Sequence, residues 1–250
     1  RARTINLMTE SRHIPVQVPV LARVEGEGTL ELQVKDGVIE DVRLRIFEPP
    51  RMFEKLLEGR DYSEVPDMVA RICGICPVAY QMSAVHAIEN LCGVEPGPWV
   101  RAMRRVFYCG EWIQSHSLHI HMLAAPDFLG YASVVEMAGK YAPEVRRGLK
   151  LQALGNDIIR LLGARSVHPV GARVGGFHRA PPPEQTDALL EKLRDALPEA
   201  EALVRWTASL DLPEQEQDFI CVALRHPREY PMNEGRLISS QGLDIPADRF

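Results

Sequence analysis

The chain is poor in cysteine and aromatic residues and has no long apolar run, and each shortage excludes something. Five cysteines stand at positions 73, 76, 92, 109 and 221 of 250 residues. A secreted disulfide scaffold would be denser in cysteine and even in count, so a reducing, cytoplasmic compartment is expected. No stretch approaches the ~18 consecutive apolar residues of a membrane span. No apolar segment follows Arg1-Ala2-Arg3, as a secretory leader would require. A basic excess is also missing: 29 basic and 34 acidic residues leave a net charge of −5, which argues against a surface that coats nucleic acid. Neither a Gly-rich nucleotide fingerprint nor a four-cysteine iron–sulfur set occurs. What is there is an ordinary globular composition, 46% hydrophobic and 25% charged. Such a length buries a core without covalent staples. The first residue is Arg1, and a start inside a longer reading frame is expected.

The pattern divides into a β-rich beginning (1–50), a helical middle (51–210) and an irregular end (211–250) of short strands and loops, read together as one domain. Val18 to Val24 is largely apolar with a break at Pro19. Thr29 to Val34 and Val38 to Phe47 alternate around Lys35-Asp36-Gly37, which predicts a hairpin. Arg51 to Glu58 reads as a short helix stopped at Gly59. A second helix is expected from Ser63 as N-cap, with Pro66 in its first turn, toward Cys73. Longer helices are expected from Pro77 to Gly93, from Pro98 through Met122, from Ala142 to Leu162 and from Glu184 to Leu210. The Pro98–Met122 run carries polar residues at unusual places. Pro169 to Gly176 reads as a loop or short hairpin. The fold class is mainly α (α+β), a long-helix bundle with an N-terminal β-hairpin region.

The sharpest motif is Arg71-Ile72-Cys73-Gly74-Ile75-Cys76-Pro77. Two cysteines separated by two residues can present both sulfurs to one metal or to each other. Gly74 lets the backbone fold tightly, and Pro77 suits the first turn of a following helix. Thiolates beside a helix N-terminus have a lowered pKa, which helps metal binding or redox work. Three readings stay open on spacing alone. The pair is half of a metal site, a redox dithiol, or two buried cysteines without chemistry. Cys92 and Cys109 are not spaced as a second zinc knuckle.

Several ordered motifs extend the pattern. They are Arg23-Val24-Glu25-Gly26, Arg51-Met52-Phe53-Glu54, Gly59-Arg60-Asp61 and the cysteine motif through Val78. Gln114-Ser115-His116-Ser117-Leu118-His119, His168-Pro169 and Gly175-Gly176 follow. Together they resemble the large (alpha) subunit of nickel–iron hydrogenases, most closely the cytoplasmic, NAD(P)-coupled group that includes the sulfhydrogenases. The likeness runs from Arg23 to at least Phe177. It implies a catalytic subunit that interconverts H2 with protons and electrons. Cys73 matches a terminal nickel ligand, and Cys76 matches the cysteine that bridges nickel and iron. The resemblance further implies carbon monoxide and cyanide on the iron. Glu25 matches a carboxylate that takes a proton from a thiolate, and Glu54 a ligand of a separate hard cation, magnesium or iron. His168 matches a histidine lying toward the partner's iron–sulfur cluster. His116 and His119 fit a partner-facing polar seam or a supporting shell better than a metal cluster. His86 reads as surface or packing. Tyr80 stands where many relatives carry a histidine. The implied partners are an iron–sulfur small subunit that holds all the iron–sulfur clusters, diaphorase subunits that bind NAD(P), and hydrogenase maturation proteins.

One part of the family pattern has no counterpart. The second cysteine pair, in an Asp-Pro-Cys-x-x-Cys context, does not occur in these 250 residues. The expectation is therefore the N-terminal portion of a longer enzyme, inactive as an isolated fragment. The alternative is a non-catalytic assembly scaffold or split paralogue of the same fold. A free dithiol oxidoreductase is a third class. A related subunit of respiratory complex I lacks the cysteines, so Cys73 and Cys76 argue against that relative.

Overall fold

Asp36 and Gly37 both take positive φ, 50° and 85°, and so form the two-residue turn that suits a twisted hairpin. They join β2 (Gly28–Lys35) to β3 (Val38–Ile46), with Lys35 opposite Val38 and a register shift at Gln33/Val34. The hairpin expectation holds. Residues 22–24 of the Val18–Val24 run lie outside the described residues. β1 is His13–Val18, antiparallel to β2 with Ile14 opposite Val34. Its alternation of Ile14, Val16 and Val18 supplies the apolar side chains, and Pro19 beyond it has no N–H for a ladder. The computed structural model describes residues 12–21, 26–47 and 51–249.

Contacts divide the chain, read from sequence as one domain, into two compact units, residues 1–55 and 56–250. The three-stranded sheet belongs to the first. Helix α1 (Arg51–Leu57) spans the boundary, and Gly59 follows it at φ 76°.

In the second unit the short helix α2 (Val65–Val69) does not use Ser63 as its cap. The Ser63 amide and hydroxyl instead bind the Asp61 carboxylate at 2.8 and 2.6 Å, and the helix begins after Glu64. Asp61 competes for the serine more locally than the helix can. Helix α3 (Pro77–Cys92) stops at Gly93, which is left-handed at φ 66°.

The long run after Gly97 is not one uniform helix. It comprises α4 (Pro98–Leu118), a π-helical turn (His119–Ala124) and α5 (Ala125–Phe128). The π turn carries His121, whose fully buried ring lies against Gly148 and stacks on Trp206. A short α6 (Val134–Met137) leads to α7 (Ala142–Gly163). The Pro169–Gly176 region forms a small hairpin of β4 (Ala172–Arg173) and β5 (Gly176–Phe177). Helix α8 (Pro183–Ala208) tolerates Pro198 in its interior.

Residues 211–249 hold the short strands and loops expected there, and the strands pair: β6 (Val222–Arg225), β7 (Arg236–Ser239) and β8 (Asp244–Pro246) form an antiparallel sheet, followed by a 3₁₀ turn (Ala247–Arg249). The Asp244 carboxylate ties β6 to β7 by binding Arg225 at 2.7 Å and Arg236 at 2.6 Å.

About half of the chain is helical, as the mainly α reading expects. One apolar cluster joins Val78, Met82 and Val85 of α3 to Phe107 and Tyr108 of α4 and Ile159 and Leu162 of α7. A second joins Leu151, Leu154 and Ile158 of α7 to Leu189 and Ala196 of α8. Helices α4 and α7 meet closely at Gly110 and Gly155. A Cβ on Gly155 would stand 2.6 Å from the Gly110 carbonyl oxygen and collide with the Gln114 amide.

Candidate metal centre

The cysteine motif lies in the turn that joins α2 to α3. After Val69 the chain turns through Arg71 and Ile72, whose amides bond back to Met68 and Val69. The backbone then folds around the Cys73 sulfur, which accepts N–H bonds from Ile75 at 3.4 Å and Cys76 at 3.2 Å. The two cysteine Cα atoms are 5.5 Å apart, and their sulfurs are paired as a disulfide. Both residues are half-buried. Backbone N–H groups aimed at a sulfur favour its anionic form, the form that ligates metals.

This geometry fits one half of a soft-metal site. Reduced, the pair would present two thiolates at one point, which suits nickel and low-spin iron. Among the described residues, no group of three or more His, Cys, Asp or Glu side chains could hold a metal by itself.

Behind the turn stands α4, with a polar stripe on its buried face. Glu111 is only 4% exposed. Its carboxylate accepts the Val78 N–H at 2.5 Å and the Ala79 N–H at 3.2 Å. Those are the first free donors of α3, because Pro77 has none. Burial pushes Glu111 up to about 7, against the pull of the two N–H bonds. The Gln114 side-chain amide donates to the Ile75 carbonyl, inside the cysteine pair. Tyr108, one turn before, is pushed up to about 12, first by burial and then by the nearby Glu111 charge.

A second buried polar group lies farther along α3. Glu89 and Arg104, 3% and 1% exposed, form a two-pronged ion pair. Glu89 also accepts the Gly175 N–H at 2.7 Å, and Arg104 donates to the Arg173 carbonyl at 3.3 Å. Arg173 in turn holds both oxygens of Asp67, at 2.8 and 2.9 Å. Gln81 donates to the Pro169 carbonyl at 2.9 Å. These bonds tie the β4–β5 hairpin to the helices on either side of the cysteine turn.

The residues singled out from sequence are distributed as follows. His168 joins the turn's surroundings: its Nδ1 bonds the Ala70 carbonyl at 2.8 Å, three residues before Cys73. Its backbone is left-handed, φ 48°, and Arg165 holds its carbonyl at 2.6 Å. Tyr80 is half-buried in the first turn of α3. His116 and His119 are both exposed, and His116 bonds back to the Trp112 carbonyl at 2.8 Å. The half-buried His86 lies on α3, its pKa lowered by burial and by the Arg104 charge. Glu54 is exposed on α1, in the first unit. Glu25 lies outside the described residues.

Glu111, Gln81, Glu89 and Arg104 were not singled out as site residues. For Arg104 and Glu111 the signal is the polar anomaly of the Pro98–Met122 run; Gln81 and Glu89 lie on α3. Arg104, Glu111, Gln114, Ser117 and His121 recur at helical spacing on the face that also carries Phe107. A charge on an apolar stripe is a request for a specific partner.

Residues 51–150, which contain the cysteine turn and Glu111, match the family described as nickel-dependent hydrogenase. The chain belongs to the nickel-dependent hydrogenase large-subunit family. It is 32% identical over 240 residues to sulfhydrogenase 1 subunit alpha of Pyrococcus furiosus, covering 95% of this chain and 56% of that one. It is 38% identical over 194 residues to sulfhydrogenase 2 subunit alpha of the same organism, covering 78% and 47%. The crystal structure of an NAD+-reducing [NiFe]-hydrogenase in the H2-reduced state superposes with a TM-score of 0.83 at 28% identity, covering 94% of this chain and 56% of that one. The chain thus spans about half the length of the curated hydrogenase subunits it matches. No described helix is long and apolar enough to cross a membrane.

Proposed function

We propose that this chain forms part of the catalytic subunit of a nickel–iron hydrogenase that reversibly oxidises H2. The observation that carries the reading is the turn at Cys73 and Cys76, two sulfurs facing each other in a chain of this family. In this reading Cys73 would hold nickel, and Cys76 would hold nickel and iron. The remaining thiolates come from outside these 250 residues. Bound there, the two metals would supply the Lewis acidity that polarises H2. Iron would carry carbon monoxide and cyanide, and Glu54 would hold magnesium or iron, a hard cation suited to carboxylate oxygen.

The chain's own residues then have defined work. In this reading a ligand thiolate would receive the proton released from H2, and Glu25, by its match to the family pattern, would take it up and relay it outward. Once the disulfide is reduced, the N–H groups of Ile75 and Cys76 would favour the thiolate form of Cys73. His168, bonded to the backbone before Cys73, lines the side from which electrons leave. They pass to an iron–sulfur small subunit and on to diaphorase subunits that use NAD(P). Maturation proteins load the metals, and the assembly works in the cytoplasm.

The test is metal analysis and H2 uptake of the purified full-length complex. About one nickel per complex with H2 turnover is the expected result, and Cys76→Ser should abolish turnover. Turnover that survives Cys76→Ser would overturn the assignment. A complex without nickel would favour the non-catalytic scaffold. The paired sulfurs favour a redox dithiol as a second reading. That reading requires reversible closure of the disulfide in a nickel-free assembly.

A further inference from the structure

We propose that Glu111 and Gln114 are positioning residues for the Cys73–Cys76 pair, two side chains of α4 that hold the backbone on both sides of the second cysteine. The inference deepens the hydrogenase reading, since it concerns how this chain presents its metal-ligand pair.

Helix α3 starts in an unusual way. Cys76 is the N-cap residue of α3, and its sulfur makes no capping bond to the helix. At an N-cap, Ser, Thr, Asp or Asn would normally satisfy the first amides from within the chain. A sulfur required as a metal ligand cannot also serve as that cap. The duty has moved to Glu111, 33 residues beyond Val78, whose two oxygens take the Val78 and Ala79 N–H groups. An anion at a helix N-terminus also meets the positive end of the helix dipole.

Gln114 acts on the other side of Cys76. Its amide nitrogen binds the Ile75 carbonyl, the peptide oxygen immediately before that cysteine. The two grips are one helical turn apart on a single face of α4, so a shift of α4 would move both sides of Cys76 together. That helix is itself fixed. Gly110 and Gly155 bring α4 and α7 into backbone contact beside Gln114, and a Cβ on Gly110 would stand 2.8 Å from Ile158 Cγ2. Among the described residues, no ion pair engages Glu111. Arg104, the buried cation of the same helix face, is committed to Glu89. The carboxylate is therefore free to act as a cap and nothing else.

The experiment uses the full-length subunit in its hydrogenase complex. Glu111→Gln keeps the size but turns one acceptor into an NH2 group that faces an amide donor. Gln114→Met removes the grip on Ile75 and leaves the carboxylate cap intact. Glu89→Gln alters an equally buried carboxylate that does not touch the turn. The readouts are the nickel electron paramagnetic resonance spectrum and the infrared bands of the diatomic ligands on iron. We expect moved spectra in E111Q and Q114M and an unmoved spectrum in E89Q. Unmoved spectra in both α4 variants would overturn the inference, as would an equal displacement in E89Q. Should E111Q fail to assemble, Q114M carries the test alone. A wild-type complex without nickel would sink the hydrogenase reading but leave this inference to a second measurement. In that case the metal-free subunit is titrated with cadmium. E111Q should then weaken binding by the cysteine pair by about tenfold, as outer-shell changes do. Equal cadmium affinity in wild type and E111Q would reject the positioning role.

Discussion

Glu89 and Glu111 are the same residue type, both at least 96% buried, on neighbouring helices, yet their surroundings push them in opposite directions. Burial alone would raise the pKa of both. At Glu89 the two Arg104 hydrogen bonds, the Gly175 N–H and the Arg104 charge outweigh burial and hold it below the ordinary range. At Glu111 only two backbone amides oppose burial, and it rises to about 7. The pair at Glu89 is what a protein builds when a charge must stay put. Glu111 costs stability as a charge, and that cost is tolerated where the α3 start must be held without using the Cys76 sulfur. The difference separates a structural lock from a positioning device.

The lock should break hardest. Arg104→Met leaves Glu89 buried without a cation, a loss of about 3–5 kcal/mol. Denaturant unfolding of the full-length subunit should show it as a lowered midpoint. The double variant Arg104→Met/Glu89→Met should recover most of that loss, because a buried ion pair replaced by apolar groups is often neutral. A double variant as unstable as the single one would mean that the hydrogen bonds to Gly175 and Arg173 matter more than the pair.

The pH response should separate the two carboxylates by sign. Glu111 is raised in the fold from 4.5 to about 7, so the folded state holds its proton more tightly. Its contribution to stability is full below pH ~4.5 and is lost as pH rises toward ~7, a span of about 3 kcal/mol. Glu89 runs the other way. Its contribution is present above the ordinary carboxylate range and is lost as pH falls through its lowered value. Unfolding of E111Q measured from pH 5 to 8 should therefore lose the decline seen in wild type, while E89Q keeps it. An unchanged decline in E111Q would assign it to another group.

Much of this was legible in the sequence, for physical reasons that also mark the limit. Asp36-Gly37, Gly59, Gly93 and Pro77 punctuate the chain through local backbone preferences, and the elements they bound were placed correctly. The cysteine turn was legible because its chemistry lies within four residues. Glu111 was not, because its partners, Val78 and Ala79, are more than thirty positions away and contribute only backbone amides. Nothing in a backbone amide distinguishes one residue from another in sequence. In the last forty residues the short strands were expected but their pairing as β6–β8 was not, because strands of three or four residues carry no register signal and the Asp244 contacts that join them depend on register.

A smaller effect tests whether the platform beneath Gln114 is rigid. Gly155→Ala places a methyl group against the Gln114 amide and the Gly110 carbonyl, both backbone groups that cannot rotate away. The expected cost is about 1–3 kcal/mol, typical of overpacking. Because the displaced amide belongs to Gln114, this variant should also move the nickel spectrum in the full complex. A core variant of similar cost at Leu189, between α7 and α8, should not. If both moved it equally, general loosening rather than the α4 grip would control the turn.

The smallest effect completes the comparison with a carboxylate near water. Asp157 on α7 binds Arg160 at 2.5 Å and Lys192 of α8 at 2.9 Å. Burial would raise its pKa, but the Lys192 and Arg160 bonds and charges together lower it. The sign is that of Glu89, yet the Lys192 side chain is 62% exposed, so solvent already screens the pair. Lys192→Met should therefore cost only about 0.2–1 kcal/mol at low salt. That difference should shrink toward zero at 1 M salt, where the screening length is about 3 Å. The Arg104–Glu89 penalty should hardly respond to the same salt, since neither partner meets solvent. A surface pair as costly and as salt-insensitive as the buried one would show that partner identity, rather than burial, separates these three carboxylates.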